Sequence, residues 1–176
     1  MDDWELLVYA QHFGMAIRLL DWTSNPLAAL WVACNRPDDG LAGYVYVLGA
    51  SDDLLLNKQT QTQRNPFSIG KTRVLQPTWN NVRIVAQGGW FTAHIYSKTS
   101  KRFVSLESNT DMKGSLTHQI EIPGKTKSDT LEQLDMLGIN SQSLFPDVEG
   151  LCKYVNWRHD VKSRATCRHS HPGRKG

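Results

Sequence analysis

Gln11, His12, Arg18, Asp21, Trp22, Thr23 and Ser24 fall within one short stretch of the chain, and Arg83, Gln87 and His94 follow later. These residue types can do defined chemistry. An imidazole titrates near neutral pH and can move a proton, which makes His12 a candidate acid or base. The Asp21 carboxylate can accept hydrogen bonds or a proton. The Arg18 guanidinium has the flat fork that suits a phosphate. Thr23 and Ser24 add hydroxyls, and the Gln87 amide can both donate and accept. Two readings are open for Arg18 and Asp21. They can line an anion-binding or nucleotide-binding cleft together with His12. They can equally form an internal network of arginine with carboxylate or carbonyl, because buried charges persist only when paired. His12 has the corresponding bland reading, a hydrogen-bonded interior histidine.

The elements that hold these residues can be read from pattern. Asp2 and Asp3 precede Trp4, Leu7 and Val8, which share one side of a helix with acidic residues at its favourable amino end. Gly14 stops that helix, so Gln11 and His12 occupy its last turn and can face the next segment. Ile17, Leu19 and Leu20 predict a short strand buried on both faces. Residues 21–26 predict a polar turn that caps a second helix through Ser24 or Asn25, with Pro26 at the first helical position. Free amides at such a helix start can attract a phosphate. Residues 27–33 are apolar nearly all round, so this helix is expected inside the domain.

Residues 11–33 resemble the core signature of the FRG domain, a mostly bacterial family. The matching pieces are Gln11-His12-Phe13-Gly14, then Arg18-Leu19-Leu20-Asp21-Trp22-Thr23, then a helix led by Pro26. Two later runs are similar as well, residues 83–91 and residues 143–151. The likeness reaches to about Tyr154. The family's aromatic-Arg-Gly element would lie upstream of Gln11, and Met1 stands only ten residues before it. The expectation is a domain over residues 1–157 that is incomplete at its amino end, either truncated or starting further upstream. The order of parts in FRG-type proteins is similar to that of ADP-ribosyltransferases of the Arg-Ser-Glu kind. The resemblance therefore implies an NAD-like or nucleotide-like pocket at the junction of residues 11–25, with NAD as the cofactor it would take. Thr23 and Ser24 match the polar turn of those enzymes, and Arg18 and Trp22 would join them against the cofactor. Gln87 stands near the place of the acidic residue, but a glutamine cannot ionise. Candidate catalytic residues are then His12, Asp21 and Gln87. The competing expectations are a binding or regulatory module without catalysis, with Trp22, Trp79 and Trp90 as recognition surface for a protein partner, and an inactive truncated copy.

Composition sets the outer bounds. A chain of 176 residues with 40% hydrophobic residues and six tryptophans predicts one packed domain that buries roughly two-thirds of its unfolded surface. Net charge is only +3, which implies no general polyanion partner. The excess is local to residues 158–176, a basic tail expected to be disordered, with nucleic-acid contact as the minority reading. Three widely separated cysteines, Cys34, Cys152 and Cys167, fit a reduced cytoplasmic protein better than a disulfide framework. Cys34 is expected in the core. No run is apolar and long enough for a membrane span. Neither Gly-x-x-x-x-Gly-Lys, Gly-x-Gly-x-x-Gly nor Gly-x-Ser-x-Gly occurs. Cys167, His169 and His171, with His159 upstream, sit too close together for an ordinary structural zinc finger, and no metal is expected.

For the remainder, strands are expected at residues 43–48, 82–86, 90–96 and 118–122. The second and third would form a hairpin at Gln87-Gly88-Gly89. A helix fragment is expected at residues 51–56, and mostly polar loops at 57–72 and 98–113, the first a surface insertion or a lid. Two carboxy-terminal helices are expected, one capped by Ser128 and stopped by Gly138, the other carrying Val148, Leu151, Cys152 and Val155 on the face that docks on the sheet. The fold expectation is a single α+β domain with a mixed or antiparallel sheet flanked by helices, and the family resemblance implies an ADP-ribosyltransferase-like arrangement.

Overall fold

The computed structural model describes the backbone of residues 2–36, 40–56, 65–79, 81–106 and 108–169, and their side chains except those of His12 and residues 162–169. Helix α1 (Asp3–His12) starts where the sequence says it should. Asp2 Oδ1 accepts the Glu5 amide at 2.8 Å, and the Asp2 amide donates to Glu5 Oε2 at 3.1 Å. This reciprocal cap satisfies two amides that would otherwise lack partners. Trp4, Leu7 and Val8 are buried on one side, and Gly14 ends the turn with φ +86°.

Strand β1 (Leu19–Thr23) leads to α2 (Pro26–Cys34) and then β2 (Gly43–Leu48). Two short strands follow, β3 (Leu55–Leu56) and β4 (Arg73–Leu75), then α3 (Val82–Gln87) and β5 (Gly89–Ala93). A small ribbon pairs β6 (Tyr96–Ser97) with β7 (Arg102–Phe103). Strand β8 (Leu116–Ile122) precedes α4 (Lys127–Met136), α5 (Ser141–Leu144) and α6 (Val148–His169). The architecture is α+β. The main sheet has the order β1-β5-β4-β3, antiparallel except for the parallel β3–β4 pair, and β2 pairs separately with β8.

Side chains alternate across the main sheet, so the register sorts them by face. Leu19, Asp21 and Thr23 lie opposite Ala93, Phe91 and Gly89. Leu20, Trp22, Trp90 and Thr92 lie on the other side. The first face packs against α1 and α3, in a core of Trp4, Leu7, Val8, Leu19, Leu56, Leu75, Ile84, Phe91 and Ala93. Fully burying such a side chain stabilises by about 1.5–3 kcal/mol. The second face carries a smaller cluster around Leu54, Val74 and Met112. A third core joins α2 to α4, α5 and α6 through Ala28, Trp31, Cys34, Leu131, Leu134 and Leu144. Cys34 is fully buried as expected, and burial pushes its thiol pKa up.

Several expectations are corrected. Residues 82–86 are helical, because Asn81 caps the Arg83 amide and Gly88, at φ +58°, closes the helix in the left-handed conformation. β-branched residues suggested a strand there, and the two flanking caps outweigh that weak preference. No hairpin forms at Gln87-Gly88-Gly89 as a result. Strand β1 runs past Asp21 through Trp22 and Thr23, where a polar turn was expected. It is an edge strand, and Leu20 is 46% exposed where burial on both faces was expected. Residues 51–56 form a turn and a strand, since pairing with β4 uses the Leu55 and Leu56 backbone. Residues 102–103 are paired, not loop. Residues 90–96 split between two sheets.

Helix α2 is not apolar on all sides of its environment, for Val32 is 63% exposed. Helix α4 begins one residue before Ser128, and Thr126 at its start makes no side-chain cap. In α6 the expected docking face is exposed, including Val148, Leu151 and Val155. The helix packs through the side where Gly150 touches Phe145 and Ser141, so close that a Cβ would overlap the Phe145 carbonyl. Its backbone continues through His169. Of the loop expected over residues 57–72, as a surface insertion or a lid, residues 57–64 lie outside the described residues, and Pro66–Ser68 form a short 3-10 helix. Among the described residues, no helix is long and apolar enough to cross a membrane.

Candidate functional site

The last turn of α1, the middle of β1, helix α3 and the α5–α6 corner converge on one cleft of about 200 Å³. Its polar members are Gln11, Asp21, Arg83 and Gln87, and its rings are Trp22, Trp90, Phe91 and Phe145. Gln11 reaches the cleft because Gly14 halts α1 with that residue in the final turn. Gln11 Nε2 donates to Asp21 Oδ1 at 2.7 Å. An ionised acceptor makes this a strong bond, and it orients the amide so that Oε1 points away from the carboxylate. That Oε1 is buried and has no hydrogen-bond partner among the described residues.

Helix α3 supplies the opposite wall. Arg83 Nε donates to Asp147 Oδ2 at 2.7 Å, its Nη2 donates to the same oxygen, and the guanidinium lies over the Phe145 ring at 5.6 Å. Gln87 Nε2 donates to the Leu144 carbonyl at 3.0 Å. Asp147 also accepts the Gly150 amide at 2.8 Å, which caps α6. The Gly150 amide first, and Arg83 next, hold the Asp147 carboxyl below the usual carboxylate range. The cleft wall is thus tied to the α5–α6 corner by two side chains of one short helix.

The polar turn after β1 spends its groups on the fold. Thr23 Oγ1 donates to the Gln87 carbonyl at 2.5 Å and accepts the Asn25 amide at 2.9 Å. Ser24 Oγ donates to the Gly88 carbonyl at 3.2 Å. Asn25 Oδ1 accepts the Leu27 and Ala28 amides, at 3.0 and 3.4 Å. The amides expected to be free for a phosphate are therefore capped.

Of the expected site residues, Asp21, Trp22 and Gln87 come together at this cleft. Thr23 and Ser24 border a second, wider one. Arg18 is elsewhere. Its Nη1 donates to the Pro66 carbonyl at 2.7 Å, between the rings of Phe67 and Phe103 at 5.4 and 5.8 Å. Burial lowers its pKa from the ordinary arginine value, yet an arginine stays charged at any physiological pH. The His12 side chain lies outside the described residues, as do those of Cys167, His169 and His171. No group of metal-ligating side chains occurs among the described residues.

The second cleft, about 480 Å³, opens on the other face of the sheet between Trp22, Trp90, Val74 and Leu55 and the β2 residues Val45, Tyr46, Val47 and Leu48. Among the described residues, no charged one lines it. Thr92 and His94, behind Trp22, are buried. Sequence reasoning passed over Thr92 because a threonine in a strand carries no signal of its own. Asp147 was legible only as one residue of the FRG-like run 143–151.

Fold and site together define a small α+β domain with a polar cleft at a helix-to-strand junction. The FRG domain family model matches residues 1–40, which covers α1, β1 and α2, the elements that carry Gln11, Asp21 and Trp22. This amino-terminal segment bears the signature of that family. No curated protein matches the chain, and no solved structure matches it.

Proposed function

We propose that this chain is an FRG-type domain whose cleft at Gln11, Asp21 and Gln87 binds the carboxamide-bearing ring of an NAD-like ligand. The observation that carries the reading is the convergence of Asp21, the unpartnered Gln11 Oε1 and four aromatic rings on one cleft. A nicotinamide ring is flat, bears an amide N–H for a buried acceptor, and is cationic in oxidised NAD, which suits a carboxylate and ring faces. A cleft of about 200 Å³ is smaller than the ~300–1,000 Å³ typical of whole drug-sized ligands, so the rest of a dinucleotide would lie outside it. ADP-ribosyltransferase-related chemistry is the reaction class this ligand suggests, with Asp21, Gln87 and His12 as candidate catalytic residues.

A second reading has its own support. Thr23, Ser24 and Gln87 use their polar groups to join β1 to α3 and the α5–α6 corner, which favours a binding or regulatory module without catalysis. Thermal unfolding with millimolar nicotinamide or NAD tests the first reading. A ligand at a hundred times its Kd stabilises by about 2.7 kcal/mol, a rise of roughly five to ten degrees for a chain of this size. Asp21→Asn keeps the shape and removes the charge. Loss of the ligand-induced rise with an unchanged melt supports the site. A wild-type melt that neither compound moves sinks it and leaves the module reading.

A further inference from the structure

Trp22 borders both clefts, and its indole is the end of a hydrogen-bond chain that runs through the sheet. Trp22 Nε1 lies 3.1 Å from Thr92 Oγ1, Thr92 Oγ1 lies 2.9 Å from His94 Nε2, and His94 Nδ1 lies 3.0 Å from the Val104 carbonyl. Thr92 is fully buried and His94 is 9% exposed. The ends of the chain fix its direction. A carbonyl can only accept, so His94 carries a proton on Nδ1. An indole N–H can only donate, so Thr92 Oγ1 accepts from Trp22. The Thr92 hydroxyl then has one hydrogen to give, and the lone pair on Nε2 of neutral His94 receives it. Every donor and acceptor in the chain is satisfied in this arrangement alone. With a proton on Nε2, Thr92 Oγ1 would accept from both neighbours, and its own buried hydrogen would have no acceptor among the described residues.

The far end is anchored as well. The His94 amide donates to the Arg18 carbonyl at 3.0 Å, and the Val104 amide donates to the Ile95 carbonyl at 3.0 Å, at the base of the β6–β7 ribbon. The indole is therefore aimed by groups that belong to three different strands or turns.

We propose that Thr92 and His94 are positioning residues, which lock the Trp22 ring through this one-way chain and so set the shape of the ligand cleft. The claim about ligand affinity rests on the function proposed above, whereas the claim about the indole does not. Thr92→Val keeps the side-chain volume and removes the hydroxyl. Thr92→Ser keeps the hydroxyl. The six indole N–H signals of the chain can be resolved by nitrogen-15 NMR, with Trp22→Phe assigning the one from Trp22. Thr92→Val should move that signal upfield and speed its hydrogen exchange, and Thr92→Ser should restore both. Nitrogen-15 spectra of wild-type histidine should show His94 as the neutral tautomer protonated on Nδ1, a measurement that needs no variant to fold. Nicotinamide Kd should rise about tenfold in Thr92→Val, the scale of one lost hydrogen bond, and return in Thr92→Ser. A wild-type His94 protonated on Nε2, or an unmoved Trp22 signal in Thr92→Val, overturns the chain. A displaced indole with an unchanged Kd overturns its link to the cleft. If nicotinamide fails to bind even the wild type, the proposed function falls, and the tautomer and indole signals still decide the chain.

Discussion

The two faces of the β1-β5-β4-β3 sheet are built from the same strands and do different things. One face is covered by α1 and α3 and leaves a cleft of about 200 Å³ with a carboxylate, two amides and an arginine in its wall. The other stays open as a groove of about 480 Å³ with no charged residue among the described ones that line it. Polar groups on the covered face are held by cross-element bonds, Gln11 to Asp21, Arg83 to Asp147 and Gln87 to the Leu144 carbonyl. On the open face, the Trp22–Thr92–His94 chain lies beneath the apolar surface. The difference follows from helix coverage. Helices bring side chains from distant parts of the chain over a sheet, so their polar groups can bond across elements.

The sharpest way to break this comparison is Trp4→Ala. Trp4 is 1% exposed and packs under the covered face. Losing a buried aromatic of this kind costs roughly 3–5 kcal/mol, so Tm should fall by roughly six to twenty degrees. A fall of about three degrees or less would mean that α1 does not hold that face. Gly88→Ala tests the junction between α3 and β5. Its φ of +58° disfavours any Cβ, and the new atom would stand 2.8 Å from Ser24 Oγ. A loss of about 1–2 kcal/mol is expected, and part of it should vanish when Ser24→Ala is added. Equal losses with and without Ser24 would assign the cost to backbone strain alone.

Asp147→Asn sharpens the comparison through pH. The folded Asp147 carboxyl is held below its ordinary value, so its contribution to stability is present above the unfolded pKa, near 3.9, and is lost as pH falls through the lower folded value. The stability gap between wild type and Asp147→Asn should therefore be constant from neutral pH down to about pH 4 and shrink below it. Denaturant midpoints measured across that range check this, and a gap that does not narrow would separate the cleft wall from Asp147. The smallest effect belongs to the open face. Tyr46 lines the groove and is 44% exposed. Tyr46→Ser should change stability by no more than about 0.5 kcal/mol, and a larger loss would show the groove to be packed as tightly as the other side.

Much of the site was legible where the signals are local. The acidic start of α1, the Gly14 stop, Pro26 at its helix start and the burial of Trp4, Leu7 and Val8 all depend on neighbours a few residues apart. Gln11 was expected to face the Arg18–Asp21 segment, and it bonds Asp21. Misreadings arose where two local preferences competed. Residues 82–86 have the β-branched content of a strand, but Asn81 and Gly88 close them into a helix. The apolar spacing of Val148, Leu151 and Val155 marks a helix correctly and says nothing about which side packs. Gly150, which permits contact with Phe145, decided that.

From the sequence by itself came the α+β class, the helix-glycine-strand-helix order at residues 3–34, the FRG likeness and the crowding of polar residues over residues 11–25. Those features rest on caps, stops and spacing, which act over a turn or two of chain. Only the tertiary structure decided that Arg18 leaves Asp21 for the Pro66 carbonyl, that Gln87 and Arg83 close the cleft from a helix, and that Thr92 and His94 stand behind Trp22. Each of those contacts joins segments far apart in the chain. Such contacts form where burial leaves a donor and an acceptor nothing else to bond, and spacing along a sequence does not encode it.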